Sequence, residues 1–204
     1  MARITLAAYL LFGLLTAPLA GAADAPQDPV RQAISRAVEL LQNSDKPLPE
    51  QFRAPAREQS ESFAEEIIRL QKEVALSEYH LSQCLENMHA MTEDRRRAGR
   101  SVQATFDFTL ARLQGRIAFL QEYNYLLAQL RKDAPPLDPK LHVGWQLTPR
   151  QGGPSSREAH KAIHTARSLL EQLAQDHAGT PWELLARREM LTRVSMQWEP
   201  VGER

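Results

Sequence analysis

The chain predicts an all-α protein: a long antiparallel coiled-coil hairpin on a small helical base, formed by an N-terminal helix and a C-terminal αα-hairpin. Three observations carry that expectation. Residues 56–133 contain no proline and are dominated by Ala, Leu, Glu, Gln and Arg. Within them the apolar positions alternate by four and three, first through Phe63, Ile67, Leu70, Val74, Ser77, Leu81, Cys84, Met88 and Met91. The alternation returns through Phe106, Leu110, Leu113, Ile117, Leu120, Asn124 and Leu127, and sustained heptads of this kind mark a helical seam. No stretch is expected to form a strand, because none is read as alternating apolar and polar residues over a strand's length.

Residues 1–22 read as a signal peptide. Arg3 precedes the uncharged run "ITLAAYLLFGLLTAPLA", and Ala20 and Ala22 supply the small residues of a cleavage site. Gly13, Pro18 and the shortness of the run argue against a membrane anchor, so no span is expected after cleavage. Cleavage would remove one charged residue, Arg3, leaving 24 Lys and Arg against 25 Asp and Glu, one fewer base than the 25 of the whole chain. A near-neutral balance excludes a general nucleic-acid binder, which needs a basic face. Cys84 is the only cysteine, so an exported protein here has no internal disulfide.

Residues 23–55 comprise a short helix and a proline-rich linker. Asp28 is placed to cap that helix, with Pro29 at its first position, where a missing N–H costs nothing. The prolines of "DKPLPEQFRAP" end it. The hairpin follows over 56–133. Gly99, in the link "DRRRAGR", is expected to take the left-handed conformation that ends a helix, and so short a link makes its two helices antiparallel. Folding about residues 98–99 pairs positions whose numbers sum to about 197, with arms on the order of 50 Å long. Ser77 and Asn124 then fall at nearly one level of the seam, where a buried Asn fixes register at a cost in stability; the alternative is that Asn124 points partly to solvent. A second apolar line, Phe119, Tyr123, Leu126 and Leu130, makes an arc too wide for one partner helix. The N-terminal helix and the C-terminal unit are expected to cover it, leaving the Arg-rich tip to project.

Residues 134–155 are a Pro/Gly-rich connection that Trp145 is expected to pin to the base. In 156–204, Ser155 and Glu158 read as a capping box before a helix whose apolar face runs from Ala159 to Leu173. "HAGTPWELLARRE" is then a corner: Gly179 terminates one helix, Thr180 caps the next, Pro181 takes its first position and Glu183 closes a second capping box. Trp182, Leu185 and Leu191 are available to pack back on the preceding helix.

Few residues suggest chemistry. His160 and His164 are four apart on a helix, a metal-binding spacing, but Lys161 stands where the zinc-protease motif has its Glu. Both face water on a helical wheel, and His177 is the nearest third ligand, so no metal and no cofactor is assigned. Arg95, Arg96, Arg97 and Arg100 at the hairpin tip form the candidate contact surface, against the plainer reading that they stabilise a helix C-terminus. Cys84 at a seam position reads as a core residue, its thiol pKa raised by burial.

Two stretches, "TLARLQGRIAFLQEYNYLLAQLRKDAPP" and "HAGTPWELLARREMLTRVSMQW", resemble the helical C-terminal region of a family of exported bacterial proteins without assigned activity. Some of these are associated with von Willebrand A-type modules. The resemblance spans roughly residues 100–200 and implies export and helicity, with no catalytic residues to carry over. The functional expectation is an exported, non-enzymatic interaction or scaffold module of the cell envelope, with a protein partner or self-association. The alternatives are a metal-dependent hydrolase built on His160 and His164, and a shortened relative of outer-membrane efflux channels.

Overall fold

Helix α4, Arg100–Asp133, forms the axis about which the other elements are arranged. The computed structural model describes residues 28–192 and 194–202, so the signal peptide expected over 1–22 lies outside the described residues. The other helices are α1 (Pro29–Ser44), α2 (Ser60–Ala90), α3 (Thr92–Arg97), α5 (Arg157–Asp176) and α6 (Pro181–Glu189), and a 3-10 turn at Arg57–Gln59 leads into α2. Fifteen of the 34 residues of α4 are buried, against five of the 31 in α2. A helix with that much burial needs neighbours on several sides, and α4 packs against α1, α2, α5 and α6.

α2 and α4 run antiparallel, as two bonds between them show. Gln71 Nε2 donates to the Asn124 carbonyl at 3.4 Å and Gln121 Nε2 to Glu78 Oε1 at 2.8 Å. Those pairs sum to 195 and 199, on either side of the expected 197. The interior between them is built from heptad positions, including Ile67, Val74, Leu81, Met88, Phe106, Leu113, Leu120 and Leu127, all nearly inaccessible to water.

The reversal differs from expectation. α2 breaks at Met91, and α3 is a separate short helix. Gly99 lies at φ −65° and ψ 152°, extended rather than left-handed, as the residue preceding α4. Gln103 Nε2 ties the corner by donating to the carbonyls of Arg96 and Ala98.

α5 covers the opposite side of α4, again antiparallel. Ala104, Ala111 and Ala118 recur every seven residues along α4 and are fully buried. They cluster with Leu170, Leu173 and Ala174 toward one end of α5 and with Ala162 toward the other. Side chains this small bring the two backbones close along much of their length. The wide apolar arc is covered as its width required: Tyr123, Leu126 and Leu130 are buried. α1 lies beside α2 and α4 and reaches α3, while α5 and α6 pack near Ala104 and Ala111. The tip is therefore braced from both sides rather than projecting from a base.

The principal correction to an all-α reading is a three-stranded antiparallel sheet, ordered β1 (Gln51–Arg53), β2 (Gly144–Pro149), β3 (Met196–Val201). Phe52 pairs with Trp145, and Leu147 with Trp198. The protein remains mostly helical; the sheet closes one end of it with aromatic rings. Phe52 meets Trp198 edge-on at 5.4 Å, Phe63 stacks on Trp145 at 6.0 Å, and the two indoles donate to the carbonyls of Pro135 and Leu126. Trp145 thus anchors its connection as expected. Gly144 is required here, because a Cβ would stand 2.0 Å from the Phe52 carbonyl oxygen.

Candidate functional site

The α5–α6 corner is a structural junction. α5 ends at its C-cap His177, and Gly179, two residues on, has φ +75°, a left-handed conformation that turns the connection toward Pro181, which opens α6. The Glu183 carboxylate accepts from the Gly179 N–H at 2.7 Å, one residue before the N-cap; a capping box would take the Thr180 N–H, which donates to the His177 carbonyl at 3.1 Å, so the expected box is replaced by a wider reach. Thr180 differs from its expected role: its hydroxyl donates backward to the His177 carbonyl at 2.6 Å and caps no N–H of α6. The Gly179 N–H and Arg187 hold the Glu183 carboxyl below the usual carboxylate range. Trp182 packs against Phe108, whereas Leu191 is exposed rather than folded back.

At the start of α5 the cap is Ser156, one residue later than expected, with its hydroxyl accepting from the Ala159 N–H at 3.2 Å. The Ser155 N–H has a different partner. Glu122, fully buried on α4, accepts from the Ser155 N–H through Oε1 and from the Ser156 N–H through Oε2, both at 2.8 Å. Free N–H groups and the helix dipole make a helix N-terminus attractive to an anion, and here the anion comes from within the protein. Glu122 was not singled out from sequence, where a lone Glu between apolar residues carries no spacing signal.

The tip arginines are largely engaged. Arg95 donates to both carboxylate oxygens of Asp107, a half-buried pair that raises the arginine pKa above its ordinary value against partial burial. Arg96 pairs with Glu93 at 2.6 Å and Arg97 with Asp94 at 3.8 Å, while Arg100 is exposed. The positive charge available at the tip is thus smaller than a count of arginines suggests.

His160 and His164 are exposed on α5 beside an open depression lined by Pro154 and Arg157, and His177 lies at the far end of the same helix. Among the described residues no group of three His, Cys, Asp or Glu side chains is placed to share a metal ion. Cys84 is buried, and burial pushes its thiol pKa up against a smaller opposing effect of Arg36. Ser77 and Asn124 do not bond to each other: the Ser77 hydroxyl donates to the Glu73 carbonyl of its own helix. Asn124 is half-buried, and its Oδ1 is buried without a partner among the described residues.

Two features were not anticipated. The first is a cavity of about 170 Å³ between α4, α5 and the C-terminal ends of α1 and α6, walled by Ala111, Phe119, Ile163, Leu170 and Met190. Arg112 and Arg116 of α4, with Asp45 and Glu189, provide its charged side. The second is the outer face of α2, where Leu76 and Tyr79, one turn apart, are 57% and 58% exposed.

No protein-family model, curated protein or solved structure matches the chain. Among the described residues no helix is long and apolar enough to cross a membrane.

Proposed function

We propose that the chain is an exported, non-enzymatic helical scaffold module of the cell envelope, whose α2–α4 pair works as an antiparallel coiled-coil hairpin. In this reading it associates with further copies of itself through the outer face of α2. The observation that carries it is the Leu76–Tyr79 pair, two large apolar side chains left to solvent on a helix whose inner face is sealed. Their surroundings favour a basic partner, since α2 carries six glutamates against Arg69 and Lys72. A second copy offers such a surface: residues 157–168 of α5 carry Arg157, Lys161 and Arg167 against Glu158. α2 and α5 both pack on α4 without packing on each other, so one copy can present the two faces to different neighbours. Contacts of that head-to-tail kind build rings or filaments. Export is supported by the pattern around Arg3, Ala20 and Ala22 and by the resemblance of residues 100–200 to exported helical proteins. Arg100 and its neighbours at the tip remain a second contact surface in the same proposal.

Sedimentation equilibrium of the cleaved protein at low and high ionic strength tests this. Association should rise with concentration, weaken with added salt as screening requires, and disappear in Leu76→Glu/Tyr79→Glu. A strict monomer at low salt and roughly 100 μM, well above the micromolar range of modest interfaces, would overturn self-association.

A further inference from the structure

We infer that the cavity beside Gly115 is a binding site for a small monocarboxylate with an apolar body, of the size of benzoate or hexanoate. The inference rests on the cavity and not on self-association, although Ile163 and Arg167 of its lining fall within the α5 stretch proposed above to meet α2.

The volume comes first. At about 170 Å³ the space is slightly larger than an apolar cavity of roughly 150 Å³ known to admit benzene. Its walls are mostly aliphatic and aromatic, so a six-carbon body is well accommodated.

The helix floor comes second. Gly115 lies in the middle of α4, where glycine is a poor choice by roughly 1 kcal/mol relative to alanine. A close approach of backbone would explain it, but nothing stands within 4 Å of where a Cβ would be. Glycine here leaves space in the cavity rather than relieving a clash.

Charge gives the ligand its polarity. The lining holds Arg112, Arg116, Asp45 and Glu189, and Arg112 is the guanidinium that stands between the two carboxylates. The Arg112 side chain is only 24% exposed, and its carboxylate neighbours lie at 3.7 Å (Glu189) and 4.0 Å (Asp45), beyond hydrogen-bond length. A guanidinium so placed has N–H groups to offer, and its planar fork matches a carboxylate better than any neutral group.

Ligand-observed NMR with benzoate and hexanoate, each compared with its neutral amide, reads the proposal directly. Both carboxylates should bind at millimolar concentration, with the amides at least tenfold weaker. Arg112→Gln should lose at least tenfold for the carboxylates and little for the amides. Gly115→Leu, checked for retained helix content by circular dichroism, should abolish binding. Should that variant fail to fold, shifts of the Ile163 and Met190 methyl signals in the parent protein decide in its place. Absence of carboxylate binding, equal binding of amides, survival of binding in folded Gly115→Leu, or shifts confined to other methyl groups would each overturn the assignment.

Discussion

Replacing Glu122 tests whether the junction between α4 and α5 is held by a buried acceptor. Glu122 has no exposed surface, and each of its oxygens takes one backbone N–H at 2.8 Å. Hydrogen bonds to a charged group contribute about 1.5–3 kcal/mol each. Glu122→Gln keeps one acceptor and turns an NH₂ toward the other N–H, so it should cost about 1.5–3 kcal/mol. Glu122→Ala loses both bonds and leaves a cavity, at about 3–5 kcal/mol. Urea unfolding monitored by circular dichroism gives the values, provided the slope is unchanged. For a chain of this size the Gln variant should melt about 3–12 °C lower, and the Ser155 and Ser156 amides should exchange faster. Glu158→Gln, on the exposed side of the same helix start, is the control and should stay within about 1 kcal/mol of the parent. Indistinguishable stability of Glu122→Gln and the parent would refute the reasoning.

Three further outcomes follow from other contacts. Asn124→Leu should stabilise the protein by about 1–3 kcal/mol by removing a buried unpaired oxygen, and a lowered melting midpoint would show that the amide is better accommodated than its contacts suggest. Tyr123→Phe should cost about 0.5–1.5 kcal/mol at neutral pH, because its hydroxyl donates to the Pro49 carbonyl at 2.7 Å. Burial, reinforced by Glu50, raises the Tyr123 pKa, so its contribution is complete below about pH 10 and is lost as pH rises through the raised folded value; the Phe variant should lose less stability than the parent over that alkaline range. Glu183 is held low, so its contribution is present above the ordinary carboxyl range and lost as pH falls through the folded value. An NMR titration should move the Gly179 amide together with the Glu183 carboxyl at a midpoint below that range, and independent midpoints would deny the contact.

What could be read in advance was what repeats. The long helices, their antiparallel register and the need to cover Tyr123, Leu126 and Leu130 all follow from heptad spacing, which accumulates signal over many turns. The alanines at 104, 111 and 118 carry the same period and could have identified the seam with α5. The sheet had little to announce it: β1 is three residues long, and the alternation in β2 and β3 is brief and shares its strands with Pro149 and Pro200. Pairings between distant residues were out of reach for a different reason. Nothing local distinguishes Arg95 with Asp107, or Glu122 with the start of α5, from ordinary solvated charge. Gly115 was visible as a glycine inside a helical pattern, a feature that asks for a packing or functional reason, and only the surrounding helices show that it opens a space.

The three short strands have a kinetic meaning. β1 meets β2 at Gln51 and Gln146, far apart in sequence, whereas α2 and α4 reverse through the short α3 and α5 meets α6 across a turn. Closing large loops is entropically slow compared with zipping neighbours. The α2–α4 and α5–α6 pairs are therefore expected to form while β1 and β2 are still apart, with the aromatic clasp closing after them. In a Trp182→Phe background, the fluorescence of Trp145 and Trp198 would time that closure separately from the gain of helix.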